Sequence, residues 1–345
     1  MQPGDTSARH GVSALPAVTP PGLLWLAGRR GCPFLLVPGL VPDGPETFAR
    51  QLPLLRRFGD VTLMSYPRRH FDLDGTLATM QGLIERAANA GKAPVLVGTS
   101  VGGGFCVELL QRCRAAGVEL PLTALVLISP MCSAGDLAPL LRRLLEPILT
   151  ASDVPASHRA VERGRAFFRG LARKAGSPRS GREEGWTALV GRGRSMAAED
   201  SRLKARIMAT INAISPEGAV ERCRALGELA GLDPSPRPAP LTRVPTLILW
   251  GSKERHTLDM NGPGPATLSR PDLACRYFPQ VEVQWVYAAG GIEVPHASLV
   301  VHHQAFNAIL RPFLTRCGRG SARSKGRLFQ LARPALTGSA PASAS

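Results

Sequence analysis

Lysine is nearly missing from this 345-residue chain: Lys92, Lys174, Lys204, Lys253 and Lys325 are five of its 42 basic residues, and the remainder are arginine. In a chain this rich in Ala, Gly and Pro, that imbalance marks biased codon usage rather than selection for a polyanion. Aromatic residues are scarce at 5%, and the basic positions are scattered without a recognisable nucleic-acid motif. Despite a net charge of +16, no nucleic-acid partner is therefore expected. The seven cysteines are odd in number and contain no C-x-x-C pair. That fits free thiols in a reducing compartment better than a disulfide framework. No apolar run approaches the length of a membrane span, and Gly22 to Gly28, cut short by Arg29-Arg30, is too brief for a signal region. The expectation is a soluble cytoplasmic protein. No metal-ligand cluster or phosphate-binding glycine loop is present, so neither a metal nor a cofactor is expected.

What is present is length and apolar content (44%) sufficient for a substantial core. Strand and helix patterns alternate. Apolar strand candidates are Leu23–Leu26, Cys32–Val37, Val61–Tyr66, Pro94–Val97, Ala124–Ile128, Thr246–Trp250 and Val281–Tyr287. Between and after them lie helical patterns at Glu46–Arg57, Leu77–Ala90, Val101–Ala116 and Val300–Thr315. Alternation of this kind predicts an α/β fold with a mostly parallel central sheet and helices on both faces. From Cys132 to Arg243 no strand signal appears, only helical segments such as Leu137–Leu149, His158–Lys174, Ser201–Ile214 and Pro216–Leu229. The division expected is a flexible N-terminus (1–20), a core in two parts (21–131 and 244–317), an inserted helical cap (132–243) and a disordered basic tail (318–345). A proline-dense stretch, 233–240, closes the cap. The tail carries Arg319, Arg323, Lys325, Arg327 and Arg333 and no acid.

The densest chemical signal is Gly98-Thr99-Ser100-Val101-Gly102, placed between the apolar run 93–97 and a helical run. A strand-to-helix turn this tight presses together the residues two before and two after the serine, and only glycine lacks the Cβ that would collide. The serine oxygen is then held above the sheet, with free N–H groups of the following helix beside it. The pattern resembles the nucleophile elbow of α/β-hydrolases.

That resemblance extends over about residues 22–316 and implies a triad in the order nucleophile, acid, base. Val244-Pro245-Thr246-Leu247-Ile248-Leu249-Trp250-Gly251 is similar to the family's V-P-T-L-(V/I)-x-W-G-x-x-D segment, with Glu254 where aspartate is usual. Glu254 is thereby the expected orienting acid; Asp259 and Asp136 are the rivals. Pro295-His296 through Asn307 resembles the family's G-H-x(5)-H-P-E-x-F-N ending, with Pro295 replacing glycine. The resemblance makes His296 the base, ahead of His302 and His303. Phe34 to Leu40 is similar to the H-G-x element, with Pro38 in place of histidine, which implies an oxyanion hole from the N–H groups of Leu40 and Val101. Serine at 100 argues against the branches that need an aspartate there.

The expected activity is hydrolysis of a carboxylic ester, with a small-molecule ester or thioester as substrate. The same machinery would serve a thioesterase, an acyltransferase, a C–C bond hydrolase or a cofactor-free haloperoxidase; a binder without turnover is the reading from another class. Residues 159–206 hold 13 Arg/Lys against 5 Asp/Glu, with Phe167, Phe168, Leu171, Trp186 and Leu189 interspersed. Amphipathic cap helices account for that pattern. A mouth attracting an acidic acyl carrier is its sharper form.

Overall fold

The computed structural model describes residues 20–29, 31–150, 154–174, 193–232 and 239–331. Eight strands form one sheet in the order β1-β3-β2-β4-β5-β6-β7-β8. They are β1 (Gly22–Leu26), β2 (Phe34–Val37), β3 (Val61–Ser65), β4 (Val95–Thr99), β5 (Ala124–Ile128), β6 (Thr246–Gly251), β7 (Val281–Ala288) and β8 (Ile292–Glu293). β1 pairs antiparallel with β3 and β8 with β7, while every pairing between β3 and β7 is parallel.

The inner strands read as unbroken apolar runs because both faces are covered. Side chains alternate across a strand: Phe34 and Leu36 join one buried cluster, Leu35 and Val37 the other. On the first face lie the short helices α1 (Gly44–Thr47) and α2 (Leu52–Leu55) and the last helix, through Phe48, Leu54, Phe306, Leu310 and Phe313. On the second lie α3 (Leu73–Asn89), capped by the Asp72 carboxylate on Gly75 N–H, and α4 (Val101–Ala115). α5 (Pro139–Leu149), α6 (Val154–Lys174), α7 (Gly193–Ala213) and α8 (Pro216–Glu228) follow between β5 and β6, where the described residues contain no strand. Their apolar faces (Leu145, Ile148, Val161, Val220, Leu226) join the α3–α4 cluster. Ion pairs from Arg50 to Glu199 and Asp200, and from Arg206 to Glu46, fasten α7 to the core.

Three expectations change. The helix expected over Glu46–Arg57 is two single turns, because Pro53 removes a donor and clashes with the preceding turn. The residues after β6 hold two further short helices, α9 (Pro263–Leu268) and α10 (Pro271–Ala274), whose proline starts read as loop in the sequence. The final helix, α11, runs from His303 to Leu331, so 318–331 is helical rather than a disordered tail. No proline interrupts that stretch. Residues 1–19, 175–192 (with Trp186 and Leu189), 233–238 and 332–345 lie outside the described residues, as do the expectations that fall on them. Among the described residues no helix is long and apolar enough to cross a membrane.

Candidate active site

Ser100 stands between the end of β4 and the start of α4 with φ 53° and ψ −126°, backbone that an L-residue adopts only under strain of about 1–3 kcal/mol. Its N–H donates to Ile128 O at 2.8 Å, and its carbonyl accepts from Met131 N at 3.1 Å and Gly103 N at 2.9 Å. The flanking glycines are required by approach distances. A Cβ on Gly98 would lie 2.6 Å from Gly102 O and 2.7 Å from Gly103 Cα; one on Gly102 would lie 2.1 Å from Pro38 O. Gly98 thus clears the turn itself, while Gly102 lets the end of β2 come close.

The side chains of Ser100, His296 and Glu254 form one chain of contacts. His296 Nε2 lies 2.9 Å from Ser100 Oγ, and His296 Nδ1 lies 2.6 Å from Glu254 Oε2. The carboxylate can only accept, so Nδ1 carries the proton and Nε2 is left to accept from the serine hydroxyl. The Glu254 side chain is wholly buried and that of His296 is 12% exposed. Glu254 Oε1 is held by Gly251 N–H at 2.7 Å and the Ser129 hydroxyl at 2.5 Å. A serine, an imidazole and a fixed carboxylate so arranged can move the hydroxyl proton to Nε2 and stabilise the imidazolium that results.

The loop after β2 passes beside Ser100, since a Cβ on Gly39, the residue before Leu40, would lie 3.1 Å from Ser100 Cβ, and Val101 is the first residue of α4. Neither backbone N–H has a protein acceptor among the described residues, so both are free to receive an oxyanion.

The sequence matches the model of the Alpha/beta hydrolase family over residues 17–309. The chain belongs to the alpha/beta hydrolase family. No curated protein matches it at significant similarity. Solved structures share the fold: an esterase from Rhodococcus sp. ECU1013 (17% identity, 86% of this chain and 96% of that one, TM-score 0.54), a thermophilic esterase from Thermogutta terrifontis (17%, 86% and 94%, 0.51) and an esterase from Exiguobacterium antarcticum (14%, 85% and 94%, 0.53).

In this hydrolase the rival residues are committed elsewhere. Asp136 is fully buried, but its carboxylate accepts from the N–H groups of Cys132, Ser133 and Gly264. Burial pushes its carboxyl above the usual range, against the pull of those donors. Asp259, half-buried, accepts from Asn261 N. His302 Nδ1 pairs with Ser298 Oγ at 2.9 Å, and His303 begins α11. Cys106 lies behind the elbow, with its thiol pushed far up by burial, which leaves no thiolate to compete with Ser100.

Ser129 is the residue that sequence reasoning missed. It directly follows β5 with φ 48°, and besides donating to Glu254 it accepts from Ala297 N at 3.2 Å, joining the acid to the loop that carries His296. Ser100, Ser129 and Ala297 are three of the four non-glycine residues with positive φ among the described residues. Strain gathered in this way is typical of functional sites. Its only sequence signal was a polar residue directly after an apolar strand. Lys253 N donates to Val294 O and Val294 N to Ser252 Oγ, lacing the acid loop to the base loop.

Proposed function

We propose that this hydrolase cleaves a carboxylic ester through an acyl-enzyme on Ser100. The observation that carries the reading is the unbroken relay from Ser100 Oγ through His296 to Glu254. Ser100 attacks the ester carbonyl while His296 takes its proton, and the tetrahedral oxyanion rests on the N–H groups of Leu40 and Val101. His296 then returns the proton to the departing alcohol, and water, activated by the same imidazole, releases the acid. Glu254 orients the ring throughout.

The helices of 132–243 act in this reading as the cap that selects the acyl group. A narrow apolar cleft, with about 60 Å³ of water-accessible space, lies between Leu40, Val41 and the helices α5, α6, α7 and α8, lined by Leu145, Ile148, Phe168 and Ile214 among others. That lining suits an uncharged hydrocarbon acyl chain. The likeness in fold to proteins described as esterases agrees with this choice. All seven cysteines are free thiols, which suits the reducing cytoplasm.

The test is covalent labelling with a fluorophosphonate, read by peptide mass spectrometry. Wild type takes up one probe at Ser100, Ser100→Ala takes up none, and His296→Ala reacts far more slowly. A folded wild-type protein that stays unlabelled overturns the reading.

A further inference from the structure

Arg222 belongs to α8, at the end of the helical insertion, yet its side chain is buried against the loop that follows β2. Nη1 donates to Leu40 O at 2.9 Å; Nη2 donates to Tyr66 O and Pro67 O, each at 3.0 Å. The guanidinium lies 5.4 Å above the centre of the Tyr66 ring. Tyr66 in turn donates its hydroxyl to Pro38 O at 2.7 Å. The carbonyls of Pro38 and Leu40 belong to the two peptide units that flank Gly39–Leu40. Each is held by a buried side chain, and the unit between them carries the Leu40 N–H.

We propose that Arg222 is a positioning residue for the peptide unit that offers the Leu40 N–H to the oxyanion, with Tyr66 as its counterpart from the core. The inference rests on the acyl-enzyme reading above. A hydrogen-bond donor stabilises a transition state only as far as it is fixed before charge develops. Gly39, the residue just before Leu40, gives the loop a joint with little stiffness of its own. Pinning the carbonyls on both sides leaves the central unit little freedom to rotate. The guanidinium also helps to neutralise the buried Asp43, as a second and longer ion pair. Asp43 makes its close ion pair with Arg68, at 2.7 Å, and stays 3.8 Å from Arg222. Arg222 Nε and Asp43 Oδ1 have no hydrogen-bond partner among the described residues. The guanidinium is aimed at the carbonyls. Burial lowers its pKa to about 10, which still leaves it charged at neutral pH. Because α8 is part of the insertion, displacement of that helix would loosen the oxyanion donor as well as open the cleft.

The test uses the full chain with p-nitrophenyl butyrate, alongside fluorophosphonate labelling. Arg222→Met is expected to lower kcat by about 10- to 100-fold, short of the full loss of an oxyanion donor, with KM nearly unchanged. Arg222→Lys, able to reach fewer carbonyls, recovers part of it. Tyr66→Phe, which removes one hydroxyl and strands no charge, lowers kcat by about tenfold or less. If Arg222→Met does not fold, Tyr66→Phe decides: a folded variant with wild-type kcat overturns the proposal. So does a loss in Arg222→Met that appears in KM or melting temperature alone. Wild-type protein that fails to label at Ser100 overturns the acyl-enzyme reading and this inference with it. Labelled wild type with unaffected variants overturns this inference only.

Discussion

Glu254 and Asp136 occupy neighbouring loops at the carboxyl end of the sheet, one after β6 and the other after β5. Both are buried, at 2% and 0% exposure, and both accept from backbone N–H groups. The difference lies in what remains once the backbone is satisfied. Both oxygens of Asp136 are taken up by three backbone donors, which close its loop against α9. Glu254 gives Oε1 to Gly251 and Ser129 and keeps Oε2 for His296. Burial therefore does not separate the two carboxylates; an oxygen left facing the imidazole does.

The sharpest break of that contrast is Glu254→Gln, expected to cut kcat by about 10³- to 10⁴-fold through loss of the charge and the ring orientation. Steady-state ester hydrolysis checks it, with circular dichroism to confirm the fold; activity near wild type would move the acid role elsewhere. Asp136→Ala should do the reverse. It orphans buried N–H groups at about 1–3 kcal/mol of stability, visible in thermal melts, while kcat stays near wild type. Ser129→Ala is intermediate. Losing one hydrogen bond to the Glu254 carboxylate costs roughly 1.5 kcal/mol, or about tenfold in kcat, and a wild-type rate would show that Gly251 alone holds the acid.

The smallest effect concerns pH. Burial raises the Asp136 carboxyl above its ordinary value, so the folded state binds that proton more tightly than the unfolded chain. The associated stability is present below the unfolded value and is lost as pH rises through the folded one. Melting of wild type and Asp136→Asn from about pH 4 to 7 should show the variant's deficit shrinking as pH rises. A deficit that grows would mean the backbone donors outweigh burial.

Much of the core was legible because its signals are local. The seven expected strands correspond to β1 through β7; the inner ones were legible because a buried parallel strand must be apolar on both faces and so reads as a run, while β1 is an exposed antiparallel edge that happens to be apolar. β8, two residues long, carries no such pattern. The elbow was readable because its glycines and serine sit within five residues. Choosing Glu254 and His296 as candidates needed the resemblance, for spacing alone left Asp136, Asp259, His302 and His303 open. Ser129 and Arg222 were not legible at all. The partners of Ser129 are 125 and 168 residues away, and those of Arg222 between 155 and 182.

By itself the sequence determined the alternation of strands and helices, the position of the insertion and the tight turn at Ser100, because periodicity and steric exclusion act between near neighbours. Only the tertiary structure decided which carboxylate keeps an oxygen for the imidazole, which histidine reaches the serine, and that an arginine from the insertion grips the loop beside it. Those outcomes depend on where loops from distant parts of the chain come together once the sheet is assembled, and side-chain hydrogen bonds act only over about 3 Å.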